Sequence, residues 1–413
     1  MPTVPPATPL LTEADLPALD VDSGLFRSDQ AAALRQAREL GPFAFSRRGI
    51  EVLHHDDVQE LLTDPRLETQ DAHIYRKYGA QPMLSSFAEH GLLVALRGEK
   101  HDRIRRVFLA SFRARMVNDA RPTMREIAES LIDAFPADAT PFDFVSNFTN
   151  PFPMQVLCRL IGIPIEDIPA FTAAATKLHL LAASPIEPGF PEIEQALQTL
   201  RQYALDLVRE RTAEPQDDLI SGLIRAQVTE GRISDDELAW NVVNLIFAGQ
   251  DTTRYQLASA LRSVVAAGLW ENMATDEHLV EEAAEETLRV LPVVNFVVRI
   301  AQQDFEYKGV AIDKGRRVIL NFKSASRDPA HFSEPESFCP RSTGRHAESY
   351  DVPFGLGDHY CLGAGLARAE MQEALGVLTK RLTDVEVLRV GEMTNPVAML
   401  YGPEELTITC RRR

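Results

Sequence analysis

The chain has 413 residues, of which 45% are hydrophobic, and its formal net charge is −17. That apolar content excludes a wholly disordered chain, and the negative charge disfavours binding to nucleic acid or to anionic lipid. No stretch approaches the ~18 apolar residues of a membrane span, so we expect a cytoplasmic globular protein without a membrane anchor. The four cysteines lack zinc-binding spacing and are Cys158, Cys339, Cys361 and Cys410.

The N-terminal residues 1–24 are rich in proline and aspartate, which predicts a loosely ordered leader. Residues 25–413 then form one domain. Ser28 is placed to cap a helix that extends to Leu40 and ends at Gly41-Pro42.

Residues 43–53 show two short apolar runs around Arg48-Gly49, which predicts a β-hairpin. Residues 64–98 have few helical signals and predict a long loop with short helices. Such loops often serve as lids or binding loops.

Helical patterns follow one another from Glu99 to Gly268. Ser234-Asp235-Asp236-Glu237 is a capping box with acids in the first turn, a strong signal for a helix start. The helix that begins there extends to about Ala267, roughly 50 Å at 1.5 Å per residue.

Further strand-like segments appear after Pro292, and residues 365–382 are helical again. The pattern predicts an α+β protein, mainly α, with a small and mostly antiparallel sheet part. The predicted strands are residues 293–301, 305–307, 317–322 and 406–409.

Cys361 lies in a glycine-rich turn directly before the last long helix. Gly357 and Gly363 allow a tight turn and a close approach to a flat cofactor. Backbone amides and the positive end of the helix favour a thiolate, which is a ligand for haem iron. The other three cysteines are better explained by core packing or surface positions.

Four short motifs occur in an order that resembles the cytochrome P450 family. The loop Phe354-x-x-Gly357-x-x-x-Cys361-x-Gly363 has the spacing of that family's haem-binding loop. The others are Ala248-Gly249-Gln250-Asp251-Thr252-Thr253, Glu286-Thr287-Leu288-Arg289 and His101-Asp102-Arg103-Ile104-Arg105-Arg106. The resemblance covers nearly the whole chain and implies the single cytochrome P450 fold.

The resemblance implies that Cys361 ligates the iron of heme b (haem b) and that Phe354 packs over the sulfur side of the ring. Ala248 and Gly363 are expected to lie against the cofactor. The haem propionates need cationic partners, and the matching residues here are His101, Arg105, Arg299 and His359. Ordinary surface charge is the alternative for each of these side chains.

Asp251 and Thr252 are the expected proton-delivery pair. Splitting O2 in an apolar pocket requires protons, which a hydroxyl and a nearby carboxylate can supply. Asn244, Ala248 and Thr252 recur every four residues and share a helix face. The alternative is that the threonine hydroxyl only bonds to a carbonyl of its own helix.

Glu286 and Arg289 are three residues apart and can form an ion pair on one helix face. The resemblance implies a buried structural pair near the cysteine loop, completed by a later arginine. Arg341 and Arg345 are both candidates for that third member. A solvated surface pair is the alternative.

The substrate pocket is expected to be mostly apolar, with residues 84–87 as a lid. Core packing is an equally good explanation for each lining side chain. The expected lining residues are Asn244, Phe247, Asn295, Phe296, Val397, Ala398 and Met399.

The sequence thus predicts a monomeric haem-thiolate monooxygenase that inserts one atom of O2 into an apolar organic molecule. Electrons would come ultimately from NAD(P)H through a ferredoxin-type donor and its reductase. Two alternatives stay open, a peroxide-driven enzyme and a haem-binding sensor or carrier. A basic patch could bind the ferredoxin and consists of Lys100, Arg103, Arg106, Arg113 and Arg115.

Overall fold

The computed structural model of the chain describes residues 10–111, 114–136, 139–182, 186–230, 233–340 and 351–413. Helices form most of the molecule. They are α1 (Gly24–Ser28), α2 (Gln30–Leu40), α3 (His55–Leu62), α4 (His73–Lys77), α5 (Pro82–His90), α6 (Gly98–Ser111), α7 (Ala114–Asp133), α8 (Pro151–Ile161), α9 (Ile168–Lys177), α10 (Phe190–Ala213), α11 (Leu219–Glu230), α12 (Asp235–Ala266), α13 (Trp270–Met273), α14 (Glu277–Val290), α15 (Phe322–Ala325) and α16 (Ala364–Arg381).

Three small sheets accompany the helices. Their strands are β1 (Phe43–Ser46), β2 (Gly49–Val52), β3 (Leu67–Glu68), β4 (Phe142–Asp143), β5 (Phe296–Ala301), β6 (Phe305–Tyr307), β7 (Val310–Ile312), β8 (Arg317–Asn321), β9 (Leu382–Val390) and β10 (Leu406–Arg412). The strand orders are β1-β2-β8-β5-β3, β4-β10-β9 and β6-β7. Only the β2–β8 pairing of these strands is parallel, which confirms the mainly helical α+β class.

The long helix α12 forms the centre of the helical part. Its capping box is present as expected, since the Ser234 hydroxyl accepts from the Glu237 N–H and the Glu237 carboxylate accepts from the Ser234 N–H. Most of its side chains are buried, and it packs against α5, α8, α10, α14 and α16.

The described part of the N-terminal segment is packed, contrary to the expected loose leader. Leu16, Leu19 and Val21 are buried. Leu11 forms a β-bridge to Val310 and Ala18 forms one to Phe45. Residues 1–9 of the leader lie outside the described residues.

The capping residue of α2 also differs from the expectation. Asp29 is the N-cap, and its side chain accepts from the Ala32 N–H at 3.0 Å. Ser28 instead ends the short helix α1. Serine and aspartate are both favoured N-cap residues. Because Ser28 is the last residue of α1, Asp29 is the N-cap of α2.

A small core cluster joins the two ends of the chain. Leu19, Phe26, Leu34 and Leu53 from the N-terminal region pack with Val397. Across the described residues, no helix has the length and apolar character needed to span a membrane.

Candidate active site

The loop before α16 folds back on itself at two glycines. Gly355 and Gly357 have φ of 76° and 66°, a left-handed conformation that favours glycine. The Cys361 N–H donates to the Phe354 carbonyl at 2.9 Å and closes the turn. From the sequence we expected Gly357 and Gly363 to form the tight turn. Gly355 takes the place of Gly363, which has an ordinary φ of −87°.

Cys361 is exposed as a residue, although protein atoms surround its sulfur closely. Burial raises the pKa of its thiol, and the Gly363 N–H hydrogen bond and the charges of Arg105 and Arg368 oppose that rise. The expected amide contact to the sulfur is therefore provided by Gly363. Phe354 packs edge-on to Tyr360 and lies under the Arg368 guanidinium at 4.6 Å.

The four cationic residues expected at the propionates lie together beside this loop. The rings of His101 and His359 have centroids 4.3 Å apart. Arg105 donates to the Tyr360 carbonyl at 2.6 Å. Burial and, after it, the neighbouring charges of His101, Arg299 and Arg105 together lower the pKa of His359 to about 3.

A fifth residue, Arg97, belongs to the same group and was missed in the sequence. Its charge also lowers the pKa of His359, and it forms an ion pair with Glu68 at 2.8 Å. Arg97, His101 and Arg105 recur every four residues, so helical spacing could have identified it.

Part of this group has no anionic partner within the described part of the chain. The His101 Nε2 and Arg97 Nε atoms are buried there without a hydrogen-bond partner. Burial lowers the pKa of Arg299 to about 10, and its guanidinium bonds only to the Val298 carbonyl. Buried cations of this kind fit the two carboxylates of a haem.

The middle of α12 has one stripe of less buried residues on an otherwise buried helix. The stripe contains Asn244, Phe247, Ala248 and Thr252, and Ala248 is exposed at the centre of the protein's longest helix. An exposed alanine in that position indicates an internal cavity. Gly249 does not belong to this face, because a Cβ there would lie 3.0 Å from Leu157 of α8.

The Thr252 hydroxyl forms a hydrogen bond to a carbonyl of its own helix, which was the alternative to a role in proton delivery. Its hydroxyl donates to the Ala248 carbonyl at 3.0 Å. A hydroxyl has one proton and two lone pairs, so in this arrangement Thr252 offers acceptor lone pairs to a further group.

Asp251 is buried next to Thr252 and forms an ion pair with Arg254 at 3.2 Å. Burial raises the pKa of Asp251, and the Arg254 charge partly offsets that rise. Arg254 also bonds to Tyr255 and lies 3.4 Å from Glu404, while Tyr255 donates to Glu404 at 2.5 Å. Because the Glu404 side chain is 41% exposed, this network links Asp251 to solvent.

Glu370 of α16 is a buried carboxyl that the sequence did not single out. Burial raises its pKa to about 8, and a hydrogen bond with Thr253 opposes the rise. It is therefore mostly protonated at neutral pH. Nothing in the local sequence marks it, since its burial comes from the packing of α16 on α12.

Glu286 and Arg289 form the buried pair, with N–O distances of 2.7 and 2.8 Å. Arg289 also donates to the carbonyls of Ser326, Pro335 and Ser337. The proposed third members, Arg341 and Arg345, lie outside the described residues.

The expected substrate contacts are divided between the cavity and the core. Phe247 packs edge-on to Phe87, which is fully buried with Leu84, so residues 84–87 include core positions. Phe296 is buried beneath the Arg48 guanidinium at 4.4 Å. Val397 belongs to the cluster at the chain ends.

Asn295 is a structural residue in this arrangement. Its backbone N–H donates to Met399 at 2.9 Å and its side-chain amide donates to Ala398 at 3.3 Å. The side-chain oxygen is buried without a partner among the described residues. Asn295 thus holds the segment that contains Ala398 and the partly buried Met399.

The expected basic patch is smaller than the sequence suggested. Arg103 forms a bidentate pair with Glu237 at 2.6 and 2.9 Å, and Lys100 donates to the Glu89 carbonyl. Arg106 is exposed. Arg115 is exposed beside Asp119, and Arg113 lies outside the described residues.

Comparisons with known proteins extend over nearly the whole chain. The cytochrome P450 family model matches residues 270–392. Luteothin monooxygenase of Streptomyces thioluteus is 32% identical over 386 residues, 92% of each chain. Mycinamicin IV hydroxylase/epoxidase of Micromonospora griseorubida is 31% identical, over 86% of this chain and 88% of its own. The solved cytochrome P450 of the bacillaene polyketide synthase of Bacillus subtilis 168 superposes with a TM-score of 0.82 at 27% identity, over 94% of this chain and 98% of its own.

Proposed function

Because this chain belongs to the cytochrome P450 family of haem-thiolate monooxygenases, we propose that it oxygenates a small, mostly apolar secondary metabolite with electrons from a ferredoxin-type donor. Two similar proteins are luteothin monooxygenase and mycinamicin IV hydroxylase/epoxidase. Both relatives support a secondary metabolite as the class of substrate.

The observation that carries the proposal is the group of buried and half-buried basic side chains beside Cys361. His101, Arg105, Arg299 and His359 would bind the haem propionates, and Cys361 would ligate the iron. When bound there, haem supplies the reduction and splitting of O2, assisted by the electron-rich thiolate. The Gly363 N–H would stabilise the sulfur in its anionic form.

The chain's own contribution to chemistry would be proton delivery. Asp251 is buried and its pKa is raised, which suits a carboxyl that both accepts and donates protons. The contacts through Arg254 and Tyr255 to the partly exposed Glu404 would resupply it from solvent. Thr252 would position the reacting oxygen atoms through its hydroxyl.

The substrate would lie against the α12 stripe. Phe247 and Ala248 make most of that face apolar, and Asn244 adds one amide. An amide in an apolar pocket costs roughly 1–3 kcal/mol when unpaired. We therefore favour a substrate with one hydroxyl or carbonyl group near Asn244, whereas the Asn295 amide already bonds to backbone.

Electrons would enter near Cys361. Arg106 is exposed on α6, next in sequence to Arg105, which contacts Tyr360. An acidic ferredoxin that binds there would be adjacent to the thiolate loop. NAD(P)H would supply its electrons through a reductase.

A carrier or sensor without turnover is not supported, because the relatives are enzymes. A peroxide-driven enzyme remains the second candidate. Peroxide brings its own protons, and the Asp251 network would then be unnecessary.

The test is the carbon-monoxide spectrum of the reduced protein, which should show the red-shifted Soret band of a thiolate ligand. Cys361→Ser should abolish that band while some haem stays bound through the cationic group. Cys158→Ser, at a buried cysteine of α8, is the control and should keep it. A thiolate spectrum in Cys361→Ser would contradict the assignment.

A further inference from the structure

Two histidines and one aspartate converge where α3 begins, away from the cysteine loop. His55 is the first residue of α3, and its ring stacks on that of His331 with centroids 3.7 Å apart and an angle of 18°. Asp56 Oδ1 lies 3.3 Å from His55 Nδ1 and 3.7 Å from His331 Nδ1. Ligand atoms of all three residues lie within 4.8 Å of one another.

The two separations that involve Asp56, 3.3 and 3.7 Å, are close to the spacing of neighbouring ligands around a tetrahedral metal ion. Imidazole nitrogen and carboxylate oxygen lie 2.0–2.2 Å from zinc, so neighbouring ligand atoms are about 3.3–3.5 Å apart. Because the two rings are stacked with nearly parallel planes, the partly exposed His331 ring has to turn about its side-chain bonds, and the Asp56 side chain has to follow, before both Nδ1 lone pairs point at one ion.

The backbone around the cluster is fixed by hydrogen bonds. The His55 N–H donates to the Asp328 carboxylate at 2.9 Å, and the His331 N–H donates to the Asp328 carbonyl at 3.0 Å. Phe332 packs edge-on against the His55 ring at 5.8 Å. The fold therefore holds the backbone of both histidines in place, independently of any bound ion.

The cluster is also accessible from solvent on one side. His55 is 1% exposed, whereas the side chains of His331 and Asp56 are 30% and 84% exposed. An ion can therefore reach the cluster from the side on which Asp56 and His331 contact solvent.

We propose that His55, Asp56 and His331 bind one borderline divalent cation of the zinc type, with water as the remaining ligand. Two imidazoles and one carboxylate suit such ions better than they suit Mg²⁺ or Ca²⁺. The ion links α3 to the segment of Asp328–Phe332, which follows the Ser326 carbonyl that Arg289 binds. This site lies outside the proposed oxygenation site. The bound ion would raise the stability of the folded protein.

The experiment uses haem-loaded protein without a histidine tag and Zn²⁺ as the probe. Isothermal titration calorimetry should show one saturable site, and zinc should raise the thermal midpoint. Asp56→Asn and His331→Ala should each weaken binding at least ~10-fold. His278→Gln, at a 77% exposed histidine near Glu281 and Glu282, is the matched control and should leave binding unchanged.

Absence of saturable zinc binding in the wild type would overturn the site. So would equal binding in Asp56→Asn and His331→Ala, or loss of binding in His278→Gln. Asp56 is an exposed side chain, so its variant keeps the fold, and an unchanged carbon-monoxide spectrum verifies this. None of these outcomes depends on whether the protein oxygenates a substrate.

Discussion

At the scale of single residues, we expect the Thr252 hydroxyl to determine how much product is formed per NAD(P)H consumed. Thr252→Ala should bind haem and substrate normally, because neither step needs the hydroxyl. Product formed per NAD(P)H should fall by at least ~10-fold, with hydrogen peroxide released instead. Thr252→Ser, which keeps the hydroxyl, should restore most of the yield. Full coupling in Thr252→Ala would contradict the role and favour the peroxide-driven alternative.

Asp251 should give a different defect from Thr252. Asp251→Asn removes the ionisable group but keeps the size of the side chain, so proton supply fails while the site keeps its shape. We expect NAD(P)H consumption itself to slow by roughly 100-fold. Measuring NAD(P)H, peroxide and product together separates the two variants. Unchanged consumption in Asp251→Asn would show that protons arrive by another route.

Glu370 should make the protein less stable as pH rises. Its pKa in the folded protein is about 8, against 4.5 as the ordinary value. The folded state thus holds a proton that the unfolded state releases, and stability is lost between about pH 4.5 and pH 8. Glu370→Gln removes this loss, so its thermal midpoint should exceed that of the wild type at pH 8 and match it near pH 5.

The control for Glu370 is Glu386→Gln, at an exposed position of β9. It should leave the midpoint unchanged at both pH values. A Glu370→Gln midpoint at or below the wild-type value at pH 8 would contradict a protonated Glu370.

Local motifs explain which of these residues could be identified in the sequence. The loop around Cys361 and the spacing of His101 and Arg105 are short-range patterns, and the structure brings them together. The burial of Glu370 and the packing of Gly249 on Leu157 depend on helices distant in sequence. The hydroxyl orientation of Thr252 likewise depends on the folded helix, so sequence left both alternatives open.

At the scale of elements, the Arg103–Glu237 ion pair links α6 to the start of α12. Burial alone would raise the pKa of Glu237, but hydrogen bonds from Arg103 and the Ser234 N–H lower it to about 2. The pair therefore stabilises the protein above about pH 4.5, and this contribution is lost as pH falls towards 2.

Glu237→Gln should destabilise the protein by about 2 kcal/mol at pH 7, because the partly buried Arg103 loses a charged partner. The difference from wild type should shrink below about pH 4 in denaturant titrations. Glu99→Gln, at an exposed position of α6, is the control and should have little effect. A constant difference at all pH values would contradict an ion-pair origin.

Helix starts were predictable to different degrees. The start of α12 was predicted correctly because Ser234 and Glu237 form reciprocal hydrogen bonds within one turn. At α2 the choice between Ser28 and Asp29 depended on the preceding helix α1. The packing of residues 10–24 was missed because their partners, such as Val310, lie about three hundred residues away.

At the scale of the whole molecule, a net charge of −17 makes the position of each exposed cation important for partner binding. Arg106→Glu should slow reduction by an acidic ferredoxin by about tenfold at low salt and should flatten the salt dependence. Stopped-flow reduction measures both. Arg411→Glu, at an exposed position of β10, is the control. Identical rates and salt dependence in Arg106→Glu would place the partner elsewhere.

The pairing of the first strands with late ones has a consequence for synthesis on the ribosome. β2 pairs with β8, which begins at residue 317 of 413, and the Leu19–Phe26 cluster is completed by Val397. A nascent chain therefore presents an open strand edge and an uncovered apolar cluster until most of it has been translated. Such edges associate with other chains. Recombinant yield should thus respond to holding chaperones and to growth temperature.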